Sequence, residues 1–192
     1  MSTKGKFLAC SMVLLPLLSL NANADGPEAG TIHFTGEIIE PSCELSDKTP
    51  NVPLGTYPTS LFTQVGDEST LTPFSIQLDN CPLASDGLPQ VQLTFQGTSA
   101  LTKSGELLDV SQITTRPGET AATGVGIAIS QDTDQSNTLL KLDGTEGQVY
   151  IGLPHLAGDS ISAGFFARYK AFATPVTAGP ADGDLTVNIL YR

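Results

Sequence analysis

Apolar and polar residues alternate at period two along much of this chain, a pattern that predicts strands rather than helices. The first such stretch is residues 30–39, Gly-Thr-Ile-His-Phe-Thr-Gly-Glu-Ile-Ile. Ile32, Phe34 and Ile38 share one face with Gly36, while Thr31, His33, Thr35 and Glu37 take the other. Further on, Phe74, Ile76 and Leu78 alternate with polar residues and run into Cys81, and Val91, Leu93 and Phe95 repeat the pattern before Gly97. Residues 107–110 are short and ambiguous. Residues 124–129 predict a strand whose glycines permit a bulge or a close backbone approach. Short strands are expected at 139–142 and 149–151, around the Asp143-Gly144 turn, and a longer one at 161–173. A final strand spans 185–191, with Leu185, Val187, Ile189 and Tyr191 in one register. Residues 47–58 read as a proline-punctuated loop with a short extended piece at Val52 and Leu54. No amphipathic helix, internal repeat or linker stands out after residue 24. Many short strands with closely spaced turn signals predict one all-β sandwich.

The amino terminus reads as an address label. Lys4 and Lys6 precede an apolar run over residues 7–20, and Ala22-Asn23-Ala24 supplies the small-x-small pattern that a signal peptidase cuts after. Interrupted by Pro16, the run is shorter than the about 20 residues of a membrane span. Residues 1–24 are therefore expected to leave as a signal peptide. Cys10 is expected to leave with them, since Phe7-Leu8-Ala9 fits a lipoprotein box poorly. Cys43 and Cys81 then enter an oxidising compartment, and one intramolecular disulfide is the natural inference. Closing that loop contributes about 4 kcal/mol on the chain-entropy model. A metal site or a nucleophilic thiol is the competing reading of a cysteine pair, but zinc usually wants four ligands in closer pairs and no histidine cluster is near.

Loss of Lys4 and Lys6 takes the formal charge from −11 to −13. That sign argues against nucleic acid and anionic membrane as partners, because both reward clustered Lys and Arg. Catalytic signatures are missing too: there is no Gly-x-Ser-x-Gly elbow, no His-Glu-x-x-His and no glycine-rich phosphate loop. The two histidines, His33 and His155, lack partners for a catalytic or ligand role. Asp132, Asp134, Ser136 and Asp143 faintly imitate a calcium loop, but Asn137 stands where the turn wants Gly and the terminal Glu is absent. The expectation is a protein that is not an enzyme and needs no cofactor or metal. A carbohydrate-binding adhesin is a rival class. Tyr57 and Tyr150 are its candidate contacts, though with no Trp and few aromatics packing is the preferred reading of both.

Four features in this order resemble one family. They are the run from Gly30 to Glu37 with Cys43 seven residues after Gly36; Phe74-x-Ile76-x-Leu78-x-x-Cys81; Phe166-Ala167-Arg168-Tyr169 in the strand before last; and the loop 178–183 with a last strand ending in penultimate Tyr191. Together with a signal peptide they are similar to the chaperone-usher fimbrial subunits, the pilins of type 1 and P fimbriae. The resemblance implies an incomplete immunoglobulin-like β-sandwich that lacks its last strand and is completed in trans by donor-strand exchange. It divides the chain into a signal peptide (1–24), an amino-terminal donor-strand extension (25–38) and a pilin domain (39–192). Ile32, Phe34, Gly36 and Ile38 become the inward residues of the donor. Leu185, Val187, Ile189 and Tyr191 become the strand that receives a neighbour's donor, and the carboxylate of Arg192 becomes the chaperone's anchor. The implied partners are neighbouring subunits in a homopolymer, a periplasmic chaperone and an outer-membrane usher. The implied place is a fimbrium on the bacterial surface, reached through the periplasm without membrane insertion. A major rod subunit is the reading adopted; a minor adaptor near the tip and a single-domain glycan-binding adhesin are the alternatives. A tip adhesin's extra lectin domain has no room ahead of Cys43.

Overall fold

The computed structural model describes residues 30, 32–36, 38, 43–99, 101–110, 118–134 and 138–192. The signal-peptide reading of residues 1–24 lies outside them, as do Thr31, Glu37, Ile39 and the Ser136 and Asn137 positions of the calcium-like pattern. Two units divide the chain, Met1–Ile38 and Ile39–Arg192.

In the second unit the alternating stretches become strands. They are β1 (Glu44–Leu45), β2 (Thr72–Asp79), β3 (Gln90–Gly97), β4 (Leu108–Asp109), β5 (Val125–Gln131), β6 (Val149–Gly152), β7 (Ile161–Ala171) and β8 (Leu185–Tyr191). Two 3₁₀ turns, Thr59–Leu61 and Asp132–Asp134, are the helical elements among the described residues. One sheet has the order β1-β2-β7-β5-β4 and the other β6-β3-β8, and every pairing between named strands is antiparallel. Their inner faces meet in a core that includes Ile76, Leu78, Leu93, Phe95, Ile127 and Phe165. Phe165 stacks on Phe74 and meets Phe95 edge-on, with ring centroids 5.3 and 5.6 Å apart. Apolar burial of this kind supplies most of the drive to fold, at about 25 cal/mol per Å².

The register puts the strand termini at two ends of the sandwich. At one end Glu44 pairs with Asp79 and Leu78 with Ile161, the Ala84 N–H donates to the Pro154 carbonyl, and Gln90 exchanges backbone hydrogen bonds with Arg192. Cys43 is bonded to Cys81 there, and Asp79 accepts from the Ser46 and Ser160 hydroxyls and the Gln77 amide. At the other end Val125 pairs with Ala171, Gly97 pairs with Leu185, and the Gly66 N–H donates to the Ala171 carbonyl.

Two expected strands differ. Residues 139–142 form no strand: Leu140 and Leu142 are buried, but their N–H groups donate singly to the Ile129 and Gly105 carbonyls, and one bridge joins Leu139 to Ser130. Burial set the apolar pattern there without a neighbouring edge long enough for a ladder. In the first unit, Gly30, 32–36 and Ile38 carry no strand either, and Ile32, Phe34 and Ile38 are exposed. A strand exists only by pairing, so alternation alone does not make one. The expected close backbone approach is made at Gly124, just before β5, and at Gly126 within it, where an added Cβ would stand 2.7 Å from the Ala173 carbonyl oxygen and 2.9 Å from that of Leu108.

Candidate functional site

Strand β8 occupies the edge of its sheet. Val91, Leu93 and Phe95 of β3 face Tyr191, Ile189 and Val187 across the ladder, and no strand pairs with the other side of β8 among the described residues. The difference in burial follows from this. The three β3 residues are completely buried, whereas Leu185, Val187, Ile189 and Tyr191 are only partly covered although they pack on the same core. A strand edge with unpaired N–H and C=O groups and an unfinished apolar row beneath it is a template for a further strand.

The far rim is fixed by the start of the domain. The Cys43 N–H donates to the Tyr191 hydroxyl at 2.8 Å, which ties the first described residue of this unit to the last residue of β8. Leu54 and Tyr57, from the extended passage after β1, also pack on the core. Tyr57 meets the Tyr169 ring edge-on at 6.1 Å, and the Tyr169 hydroxyl donates to the Ala181 carbonyl at 2.9 Å. Burial pushes the Tyr169 hydroxyl above its ordinary pKa, and the nearby Asp182 carboxylate adds to the rise. A cleft of about 700 Å³ opens at the end where β8 begins, lined by residues that include Tyr57, Phe62, Tyr169, Val176, Pro180 and Ala181.

The expected acceptor residues thus share one open edge. Arg192 sits past it, with its guanidinium on Glu146 and its backbone paired with Gln90. The expected donor residues Ile32, Phe34, Gly36 and Ile38 lie in the other unit, and a Cβ on Gly36 would meet nothing within 4 Å. His33 and His155 are exposed, Tyr57 is half-buried against Tyr169, and Tyr150 is half-exposed. Among the described residues no group of three or more His, Cys, Asp or Glu is arranged to hold a metal. No helix among them is long and apolar enough to cross a membrane.

Sequence reasoning missed the ion cluster on β7. Arg168, almost wholly buried, holds Glu68 Oε2 2.7 Å from its Nε and donates from Nη1 to the Ser130 hydroxyl, while Lys170 Nζ reaches Glu68 Oε1 at 2.5 Å. Glu68 comes from a loop far along the chain, so neither periodicity nor spacing signals it.

The comparisons with known proteins agree with one another. The profile of the family described as fimbrial protein matches residues 32–192. The type-1 fimbrial protein subunit of Serratia marcescens is 36% identical, over 94% of this chain and 98% of its own. The probable major fimbrial subunit LpfA of Escherichia coli O157:H7 is 32% identical, over 97% of each. Among solved structures, the P pilus rod subunit PapA aligns with a TM-score of 0.58 at 21% identity, covering 78% of this chain and 99% of its own. A chaperone-usher pilus structure described in connection with rod uncoiling aligns at 0.55 and 22%, covering 87% and 98%. Those two likenesses are of fold, the immunoglobulin-like two-sheet sandwich. Family and fold together make the protein a structural subunit of a surface fimbria and not an enzyme. The chain belongs to the fimbrial protein family of chaperone-usher pili.

Proposed function

We infer that this chain is a rod-forming fimbrial subunit that polymerises with copies of itself by donor-strand exchange, after a periplasmic chaperone and an outer-membrane usher have delivered it. The observation that carries the reading is the pairing of two unfinished halves. β8 has an open edge above a half-covered apolar row, and Ile32, Phe34 and Ile38 form an exposed apolar row at strand period around a glycine. In a filament the row of one subunit fills the edge of the next. Burying those three side chains contributes on the order of 5 to 9 kcal/mol, and ladder hydrogen bonds add about 1 kcal/mol each. Release is correspondingly slow.

Antiparallel seating continues the pattern of the domain's own strand pairings and is slightly the stronger form of pairing. It brings Ile38 to the Leu185 end of β8, beside the cleft at Tyr57 and Ala181. Before exchange, a chaperone strand takes the same edge, with the Arg192 carboxylate as its anchor. The rod assignment is favoured by likeness to LpfA, whose name calls it a probable major subunit, and to the P pilus rod subunit. Electron microscopy of cells with and without the chain tests it. Loss of whole filaments is expected, and loss of tips alone would replace the rod reading with an adaptor.

A further inference from the structure

Exposed large apolar side chains on the domain concentrate at its two ends. Leu83 and Leu156 sit in the β2–β3 and β6–β7 loops, which the Ala84 to Pro154 hydrogen bond joins at the Cys43–Cys81 end. Leu61, Val65 and Leu101 sit at the opposite end, where Gly66 bonds to Ala171 and the Leu101 N–H bonds to Asp109. Leu156 is 68% exposed and Val65 62%. Exposed charges of both signs occur at each end, Glu44, Asp86, Asp159 and Arg192 at the first and Glu119, Asp184 and Lys103 at the second, with acidic residues in excess at both. Attraction between a positive end and a negative one is therefore a poor account of what the ends bind, and apolar contact is the better one.

We propose that these two patches meet each other, so that Leu83 and Leu156 of one copy of this chain pack on Leu61 and Val65 of the next. The proposal rests on the donor-strand reading above. With the donor seated antiparallel, Ile38 lies at the Leu185 end of the acceptor, and Cys43 of the donating copy follows five residues later. At about 3.3–3.6 Å per extended residue that tether reaches no more than about 18 Å. It holds the donating copy's Cys43–Cys81 end close to the acceptor's opposite end, the end with Leu61 and Val65. The contact joins unlike surfaces, so it is heterologous and repeats along an open filament instead of closing into a pair. A parallel donor would instead bring the two Cys43–Cys81 ends together, and Leu156 would face its own copy. The tether makes the contact effectively intramolecular, so a small patch suffices.

Cross-linking in assembled filaments of the full chain is the test. The paired substitutions Val65→Cys with Leu156→Cys, and separately Leu61→Cys with Leu83→Cys, are treated with a short bis-maleimide. Unheated gels report polymers held by donor strands, and boiled gels report covalent links alone. A ladder surviving boiling with either pair, and absent from all four single variants, is the expected result. An unheated ladder with no boiled ladder from both pairs overturns the end contact and leaves donor exchange standing. Covalent dimers from Leu156→Cys alone overturn it as well, since like ends then meet. Absence of an unheated ladder from the unsubstituted chain overturns the donor reading itself. As an independent arm, Val65→Asp and Leu156→Asp, which are exposed in the lone domain, are expected to shorten filaments several-fold without lowering the unfolding temperature of the monomer. Filaments of unchanged length contradict the proposal.

Discussion

Phe34→Ala separates what a side chain does for its own domain from what it does for a neighbour. Phe34 is 86% exposed, so its truncation removes no buried contact from the chain that carries it. Seated in a neighbour's core, the same ring contributes about 1.5–3 kcal/mol of transfer free energy, and a cavity left behind raises the cost of truncation to about 3–5 kcal/mol. Taking about 3 kcal/mol, polymers dissociate roughly a hundred times faster, at about 1.4 kcal/mol per factor of ten. Two assays are needed. The thermal midpoint of the isolated monomer is expected to be unchanged, and the half-life of detergent-resistant polymers is expected to fall about a hundredfold. The reasoning fails if the monomer midpoint drops by several degrees, because Phe34 then belongs to its own core. It fails equally if variant polymers dissociate at the unsubstituted rate.

Three further outcomes follow from the domain. Replacing Cys43 and Cys81 with Ser opens a loop with a sequence separation of 38, at about 4 kcal/mol, and should lower the thermal midpoint under non-reducing conditions by about 10 °C. Glu68→Ala removes the carboxylate that buried Arg168 shares with Lys170 and should cost about 3 kcal/mol in denaturant unfolding, whereas truncating exposed Asp159 should cost almost nothing. Asp79 is held below its ordinary carboxylate range by hydrogen bonds from Ser160, Ser46 and Gln77 in that order. A depressed folded-state value favours the folded state above the unfolded value of 3.8, and that contribution disappears as pH falls through the folded value. Asp79→Asn should therefore lower stability at neutral pH and flatten the acid limb below about pH 4, so that the variant and the unsubstituted chain converge as the pH falls.

Legibility in the sequence tracked how much of a strand's partner lies in its own pattern. β2, β3, β7 and β8 each turn an alternating apolar row to the core, so Phe74-Ile76-Leu78 or Leu185-Val187-Ile189 announces itself by alternation. β1 has two residues and is a strand only because Leu78 and Asp79 pair with it, so periodicity had nothing to count. Leu140 and Leu142 point the other way, apolar and buried yet not in a ladder. At the candidate site, the inward row of β8 was readable. The Cys43 to Tyr191 hydrogen bond and the cleft by Tyr57 were not, because each joins residues that only the folded chain brings together.

The order of the strands also sets a clock. β7 is the middle of its sheet and pairs with both β2 and β5, while β3 holds β8, the last strand of the chain. Neither sheet can close until nearly all of the chain is present, so loop-closure entropy is spent early and recovered late. The Cys43–Cys81 link is the exception, since its two halves lie early in the domain and can be joined first. Meanwhile β3, with its buried Leu93 and Phe95, waits without a partner, and β2, with Ile76 and Leu78, has only the two-residue β1. The same topology that builds the finished subunit thus makes the newly arrived chain prone to pair wrongly, and its yield depends on how long those strands stay uncovered.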